Sequence, residues 1–332
     1  MKAVVMTAAG DPSVLQLQER PLPELQSDTE ILVRLKAAGI NPIDTKIRQR
    51  GTFYPDQRPA ILGLDGAGVV EAVGAGVREF HIGDEVYFCN GGLGGHPGTY
   101  AEYATVEERF LAHKPKTLSF AEAAALPLVA ITAWEALFDR SRLGAGQRVL
   151  IQAGSGGVGH IAIQLAKQAG AIVCTTVSTA EKATFVEKLG ADEVIRYTLD
   201  DPIVRVMNWT DGVGVDVSFD TVGKQVLSQC FASTRYYGDV VTLLAPSPDT
   251  VWKVARDRNL RFSFELMLTP MLQNLAAAQM AQVGILRQCA QWVDQQQLTV
   301  HLAQTFPLEQ AAEAHRQLEA GGFVGKLALT ME

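Results

Sequence analysis

The sequence predicts an α/β protein of two domains: a doubly wound parallel sheet, and a β-rich domain built on a small, strongly bent sheet or barrel. Three observations carry this. The chain has 332 residues, about two domains at roughly 150 residues each, and each is long enough to bury its own core. Short strands punctuated by Gly and Pro fill the first third, and beyond about Phe120 strands alternate with amphipathic helices. Apolar residues make up 47% of the chain and charged residues 20%, the usage of a folded globular protein rather than a disordered or fibrous one.

Along the chain, KAVVM, the Asp28 to Lys36 run, GAGVVEAVG and DEVYFC read as strands. The alternation Ile31-Leu32-Val33-Arg34-Leu35-Lys36 suits a half-buried strand, and turns recur at Gly74-Ala75-Gly76 and Gly91-Gly92. Near Phe120 the texture becomes helical, with Ser119 placed to cap a helix through Glu122, and the first domain boundary belongs there. RVLIQ, a helix through HIAIQLAKQAG, AIVCTTV, a helix through EKATFVEKLG, EVIRY, VDVSFD and VVTLL then alternate, which implies a parallel sheet covered on both faces. A long helix from about Pro270 through Trp292, the run LTVHLAQTFPL, a helix through Leu318 and a final strand KLALTM close the chain.

Composition narrows the function. Lys and Arg number 29 against 36 acidic residues, a net charge of −7. The cations are scattered, which argues against nucleic-acid and anionic-membrane partners and leaves small-molecule chemistry. Cys89, Cys174, Cys230 and Cys289 stand far apart with no CxxC pair, so a reducing compartment is expected rather than a disulfide framework or a clustered metal site. The opening MKAVVMTAAGDPSV breaks at Gly10 and Asp11 and is too weak for a signal peptide. The most apolar stretch, Ala123 to Trp134, contains Pro127 and falls short of the roughly 18 to 20 residues that span a bilayer. The expected location is cytoplasmic.

The strand Arg148 to Gln152 runs into Ala153-Gly154-Ser155-Gly156-Gly157-Val158-Gly159 and then into an amphipathic helix, placing GxGxxG on Gly154, Gly156 and Gly159. Gly154 permits a tight turn, Gly156 lets backbone amides approach a pyrophosphate, and Gly159 lets helix and strand pack closely. A strand before, a helix after and a second βαβ unit beyond make this a dinucleotide (Rossmann) site rather than a glycine-rich turn. An NAD site usually carries Asp or Glu about 20 residues on, whereas here the stretch reads Thr176-Val177-Ser178-Thr179, with Lys182 on the next helical turn. Hydroxyls such as that of Ser178 and the Lys182 cation favour a 2′-phosphate, and hence NADPH. The competing role for Thr179 is a helix cap, with Lys182 simply solvated, and Glu181 stands close by.

The segment GQRVLIQAGSGGVGHIAIQLAK, Gly146 to Lys167, closely resembles the characteristic segment of the quinone oxidoreductase and ζ-crystallin branch of the medium-chain dehydrogenase/reductase superfamily. The resemblance extends through AGINPIDTKIR, GLDGAGVVEAVG, GTYAEY at Gly98 to Tyr103, and the closing GKLAL at Gly325 to Leu329. It implies a GroES-like β-rich catalytic domain over 1–122, completed by 268–332, and a Rossmann NADP-binding domain over 123–267. It also implies cofactor contacts from Thr132, from Thr221, Val222 and Gly223 at a strand end, from Leu243, Leu244 and Ala245, and from Lys326. Tyr197 resembles an adenosine-side residue, with an edge-strand aromatic as the alternative.

Members of this branch are usually zinc-free NADPH-dependent reductases. Zinc-dependent relatives carry Cys where this chain has Asn41 and His where it has Leu64, and their four-cysteine lobe is absent here. His96, alone in a glycine loop, suits solvent or a hydrogen bond better than a metal. No metal is expected. Hydride delivery to a quinone or an unsaturated carbonyl builds negative charge on oxygen, so a donor near that oxygen is needed. By resemblance Asn41 is the leading candidate, with a turn role before Pro42 as its alternative. Many relatives carry Tyr where this chain has Lys46, which either donates to the oxygen or points outward as a solvated cation. Tyr54 is a substitute donor or an aromatic wall, and Asp44 orients neighbouring polar groups. Phe264, Met267 and Met271 line a substrate pocket or form core.

The expected function is NADPH-dependent reduction of quinones or related conjugated carbonyls. The alternatives are double-bond reduction in enals or enones, zinc-dependent alcohol oxidation, and a crystallin-like NADPH-binding protein without turnover. No basic aromatic-rich patch supports RNA binding. Relatives in this branch often pair through an edge strand of the nucleotide domain, and Val240 to Leu244 is the apolar candidate for a homodimer.

Overall fold

The computed structural model describes residues 1–54, 56 and 60–331, in two compact units: 1–128 together with 268–332, and 129–267. The first junction therefore falls at 128/129. Unit 1 begins with strands β1 (Lys2–Met6), β2 (Leu15–Glu19), β3 (Glu30–Ile40), β4 (Ala60–Ile61), β5 (Asp65–Val73), β6 (Glu85–Cys89), β7 (Tyr103–Glu107) and β8 (Ala112–His113), with helix α1 (Pro42–Arg50) leaving the end of β3. The alternation read in β3 buries Ile31, Val33 and Leu35, each at most 1% exposed. Its pairing with β5 shifts register twice, between Leu32 and Val33 and between Leu35 and Ala37. Such irregularities bend a strand. Gly68 permits the close pairing, since a Cβ there would stand 2.3 Å from the Arg34 carbonyl oxygen. Two short helices follow, α2 (Phe120–Ala124) and α3 (Pro127–Trp134), the first closed by the expected capping box of Ser119 with Glu122.

Unit 2 alternates as its sequence demands: β9 (Arg148–Ile151), α4 (Gly157–Gln168), β10 (Ile172–Val177), α5 (Ala180–Lys188), β11 (Glu193–Arg196), α6 (Pro202–Trp209), β12 (Val215–Asp220), α7 (Gln225–Ser233), β13 (Thr234–Thr242), α8 (Trp252–Asp257) and β14 (Arg261–Phe264). The strands form one parallel sheet in the order β11-β10-β9-β12-β13-β14. This is the doubly wound order, whose direction reverses between β9 and β12. One correction follows. Val240 and its neighbours lie on β13, an interior strand held by β12 and β14, so the run from Val240 to Leu244 is not an edge. The edges are β11 and β14, and the one beside β13 is β14, whose strand character lies in only four residues, RFSF.

The chain then returns to unit 1 through α9 (Thr269–Leu272), α10 (Ala276–Asp294), β15 (Leu302–Pro307), α11 (Ala311–Ala320) and β16 (Lys326–Thr330). The long helix expected from Pro270 is broken: Asn274 takes a left-handed φ of 52°, between α9 and α10. β16 pairs antiparallel with β3, Leu327 facing Ile40, and completes a sheet in the order β15-β16-β3-β5-β6-β8, with β7 also on β3. No helix among the described residues is long and apolar enough to cross a membrane.

Leu150, Cys174, Ile195, Val206 and Val215 form a fully buried cluster on one side of the parallel sheet. Truncating Leu150 to Ala is expected to cost about 2.7–5 kcal/mol, because rigid strands on either side keep the cavity open. Urea unfolding followed by circular dichroism measures this, and a loss below about 1 kcal/mol would show that the sheet relaxes into the space.

Candidate active site

The switch point of the sheet holds the glycine motif. β9 ends at Ile151, and its continuation is pinned from both neighbours. Thr176 Oγ1 accepts the Ala153 N–H at 3.0 Å and donates to Gln152 Oε1 at 2.7 Å. Thr221 Oγ1 donates to the Gln152 carbonyl at 2.8 Å. The three glycines have different reasons to be glycine. A Cβ at Gly154 would stand 2.1 Å from Thr175 Oγ1, and one at Gly159 would stand 2.3 Å from the Ala153 carbonyl oxygen. Both are required by packing. Gly156 has an ordinary φ of −79°, and its Cβ would meet only the Ala153 oxygen, at 3.2 Å. Backbone conformation does not demand glycine there, and the contact a Cβ would make is milder than at Gly154 or Gly159. What a side chain at Gly156 would cover is the start of α4, which has no side-chain cap and so leaves first-turn N–H groups for an outside acceptor.

The next strand ends supply the rest of the cradle. The Asp220 carboxylate accepts the Val222 and Gly223 N–H groups at 2.9 and 2.8 Å through Oδ1, and the Thr242 hydroxyl at 2.9 Å through Oδ2. This shapes the turn carrying Thr221 and Val222 and ties it to the end of β13, after which Leu243, Leu244 and Ala245 follow. Asp220 went unnoticed in the sequence, although an Asp closing a strand before Thr-Val-Gly is a turn-forming signal. At the end of β10, Ser178 is half-buried, and Thr179 caps α5 by accepting the Lys182 N–H at 3.3 Å. The capping role expected as an alternative for Thr179 is therefore real. The Lys182 side chain is half-buried, with no ion pair among the described residues. Tyr197 and Val222 are exposed, and Thr132 is buried on α3.

In unit 1, β3 delivers Asn41 to the start of α1, where Pro42 takes the first helical position. The Asn41 side chain is fully buried. Its Nδ2 donates to Asp65 Oδ2 at 2.9 Å, and its Oδ1 accepts from Lys326 Nζ. Lys326, also buried, donates to the Ile40 carbonyl at 2.9 Å, and Asp65 Oδ1 accepts the Leu128 N–H at 3.0 Å. Asp44 Oδ2 accepts the Asn41 N–H at 2.8 Å, the orienting role expected of it, and the Tyr100 hydroxyl also interacts with the Asp44 carboxyl. Close by, the Tyr100 hydroxyl pairs with His315 Nε2 at 3.1 Å. Burial pulls Lys326 below the usual lysine value and pushes Asp65 up, and their mutual attraction opposes both shifts. Burial raises Asp44 to about 7 against the Asn41 N–H, with the Asp65 charge adding to the rise. Burial lowers His315 to about 3, which keeps its ring neutral.

Lys326 thus belongs to this network with Asn41, a partnership that the spacing of 285 residues hides in the sequence. Lys46 is half-buried on α1, its pKa lowered by burial and by Arg50. Tyr54 lines a cavity of about 200 Å³ in unit 1 together with Leu93, His96 and Met271. Of the three residues offered as a pocket wall, Met271 lines this cavity, Met267 is buried in unit 2, and Phe264 is 54% exposed. His96 Nδ1 donates to the Pro97 carbonyl at 3.0 Å. Among the described residues, no three His, Cys, Asp or Glu side chains stand as a metal-ligand group.

Comparison with known proteins agrees with this geometry. Residues 27–116 match the alcohol dehydrogenase GroES-like domain family, and residues 189–329 match the zinc-binding dehydrogenase family. The quinone oxidoreductase of Pseudomonas aeruginosa is 32% identical over 330 residues, 99% of each chain. The chloroplastic NADPH-dependent alkenal/one oxidoreductase of Arabidopsis thaliana is 41% identical over 231 residues, 67% of this chain and 58% of that one. The crystal structure of Escherichia coli quinone oxidoreductase complexed with NADPH aligns with a TM-score of 0.88 at 29% identity over 100% of both chains.

The buried carboxyl of Asp44 makes a prediction. Its folded-state pKa of about 7 lies above the ordinary 3.8, so the folded chain holds the proton more tightly than the unfolded one, and stability is lost as pH rises from about 4 through about 7. Asp44→Asn keeps an acceptor for the Asn41 N–H and removes the titration. The stability of the variant relative to the parent is expected to climb between pH 4.5 and pH 8, by at most roughly 3 kcal/mol. Urea midpoints at the two pH values measure it, and a flat difference would contradict the assignment.

Proposed function

This chain belongs to the quinone oxidoreductase branch of the medium-chain dehydrogenase/reductase superfamily, and from that premise we propose that it is an NADPH-dependent reductase of quinones or related conjugated carbonyls, working without zinc. The observation that carries the reading is the start of α4 after Gly154-Ser155-Gly156, which has no side-chain cap and follows a glycine whose φ of −79° any residue could adopt. Such a start leaves main-chain amides for a pyrophosphate. The first-turn amides of Gly157, Val158 and Gly159, with Ser155 beside them, would hold the pyrophosphate. Ser178 and Lys182 would meet the 2′-phosphate, and Thr221, Val222 and Leu243 to Ala245 would line the cofactor's path along the strand ends. Thr132, Tyr197 and Lys326 complete the proposed contacts.

When bound, NADPH supplies the hydride; a quinone then takes one hydride and one solvent-derived proton and leaves as the hydroquinone. The chain's own task is to hold the acceptor, exclude water and donate to the oxygen where charge develops. Three donors are proposed. Tyr54 already lines a cavity. Lys46 has a lowered pKa that eases proton donation. Asn41 retains one uncommitted Nδ2 hydrogen, its orientation fixed because Oδ1 faces an ammonium and Nδ2 a carboxylate. A zinc ion does not fit this corner. The carboxamide of Asn41 is a poor ligand with both ends engaged, and Leu64 beside Asp65 is a buried hydrocarbon.

The 41% identity to an alkenal/one oxidoreductase supports a second reading, reduction of an activated carbon–carbon double bond, which leaves a saturated carbonyl instead of a hydroquinone. We further read the protein as a cytoplasmic homodimer. Its four cysteines are unpaired, as a reducing compartment would keep them, and among the described residues β14 pairs with β13 alone, which leaves its other edge for a second copy.

Nicotinamide absorbance on chelator-treated protein, with NADPH or NADH against quinones and enones, tests the reading. NADPH oxidation with hydroquinone as product is expected. Tight NADPH binding without consumption across the panel would point to a non-catalytic nucleotide-binding protein, and alcohol oxidation restored by zinc would overturn the zinc-free reading. Gly156→Ala is expected to weaken NADPH at least about tenfold while changing stability by less than about 1 kcal/mol; a variant that binds normally would remove the glycine from the site. Lys182→Ala is expected to cost NADPH about 1.5–3 kcal/mol of binding and NADH far less. Equal losses would reject a phosphate role for Lys182.

A further inference from the structure

The carboxyl ends of β10 and β11 bring a second cation to the side of Ser178. Arg196 closes β11 and stands across from Val177 in the parallel register, one residue before Ser178. The junction is fixed from both strands: the Tyr197 N–H donates to the Val177 carbonyl at 3.1 Å, and the Thr198 hydroxyl donates to the Ser178 carbonyl at 2.9 Å. Ile195 packs with Val206 of α6, so strand alternation turns Arg196 to the opposite face of the sheet. The β10–β11 and β11–β12 crossovers run in opposite directions along the sheet, and right-handed connections therefore place α5 on the face opposite α6. Arg196 thus shares a face with α5, which leaves the same end of β10 and carries Lys182 in its first turn.

These two cations differ from the others in unit 2. Each of the other half-buried lysines and arginines there has a partner, as Arg205 has Glu193 at 2.6 Å and Lys167 has Asp192 at 2.7 Å. Arg196 and Lys182 are half-buried as well, and among the described residues neither has an ion pair, a side-chain hydrogen bond or a ring contact. The acids nearest in sequence are engaged elsewhere. Asp200 pairs with Arg205, Asp201 caps α6, and the Glu181 carboxyl accepts from its own N–H and from Thr179, which hold it below the usual carboxylate value. Partial burial of an unpaired guanidinium does not help folding. It does suit a phosphate, whose oxygens match the planar fork of arginine two at a time.

Resting on the NADPH reading above, we propose that Arg196 is a second cation of the 2′-phosphate site, closing on the phosphate from β11 while Lys182 closes on it from α5, with Ser178 between them. Arg196 takes two phosphate oxygens through its fork, and Lys182 meets the remaining charge. Selection of NADPH over NADH is then divided between two elements, and losing either cation lowers it without abolishing it.

Calorimetric dissociation constants of NADPH and NADH for the parent, Arg196→Ala, Arg196→Lys and Arg196→Ala/Lys182→Ala test this. The quantity read is the ratio of the NADH constant to the NADPH constant, because damage to the fold or to the shared cradle moves both alike. The parent is expected to prefer NADPH, and Arg196→Ala to lower the ratio at least about tenfold. Arg196→Lys recovers part of the loss, since it keeps the charge and not the fork, and the double variant brings the ratio close to that of equal binding. A ratio left at the parent's value in Arg196→Ala overturns the proposal, as does a parent that binds the two nucleotides equally. Should Arg196→Ala fail to fold, Arg196→Gln carries the same reading with the side chain's length and polarity kept. A parent that reduces quinones while Arg196→Ala keeps its ratio defeats this proposal alone. A parent that reduces no acceptor, yet loses its NADPH preference with Arg196, upholds this proposal and defeats the reductase reading; one that binds neither nucleotide defeats both.

Discussion

A single buried ammonium organises unit 1. Lys326, on the last strand, donates to the Ile40 carbonyl and to Asn41 Oδ1. Asn41 hands the interaction to Asp65, and Asp65 accepts the Leu128 N–H. Four points far apart in sequence, at 41, 65, 128 and 326, are therefore held by one charge and its partners. Removing any one of them would leave a buried polar group unpaired, the costly direction of the hydrogen-bond asymmetry. The positions of β16 and of the start of α1 follow from this, as does the orientation of the Asn41 amide. The network also explains why two carboxylates are tolerated near one cation. With Asp44 raised to about 7, the group stays close to neutral in the mildly acidic range and carries one excess negative charge above it.

Much of the fold was legible because it rests on local rules. Periodicity and the Ser119–Glu122 capping box placed β3, α2 and α4, and the run of βαβ units set the parallel sheet. What escaped was what only tertiary context decides. RFSF is too short and too ambiguous to be read as the edge strand, so the more apolar Val240 run was assigned the edge although it lies inside the sheet. The break between α9 and α10 turns on Asn274 in a left-handed conformation, which Asn tolerates without announcing it. Helix α6 did carry a signal, Asp201 before Pro202, with Asp201 accepting the Ile203 and Val204 N–H groups.

The two halves of the candidate site differ in legibility for a related reason. The proposed nucleotide cradle is built from backbone, and backbone demands are written as glycine: a Cβ at Gly154 or Gly159 would stand within 2.3 Å of a neighbouring oxygen. Side-chain sites carry no such fixed spacing. Asn41, Tyr54 and Lys46 were picked out in sequence, but the partnership of Asn41 with Asp65 and Lys326 was not, because hydrogen-bond satisfaction is a property of the folded neighbourhood. The Tyr100–His315 pair, spanning 215 residues, escaped for the same reason.

This difference separates what a fold family transmits from what one chain adds. A backbone cradle recognises phosphate through main-chain amides and carries no information about the acceptor. Discrimination among acceptors falls instead to side chains, whose partners only the folded neighbourhood sets, as the pairing of Asn41 with Asp65 and Lys326 illustrates in unit 1.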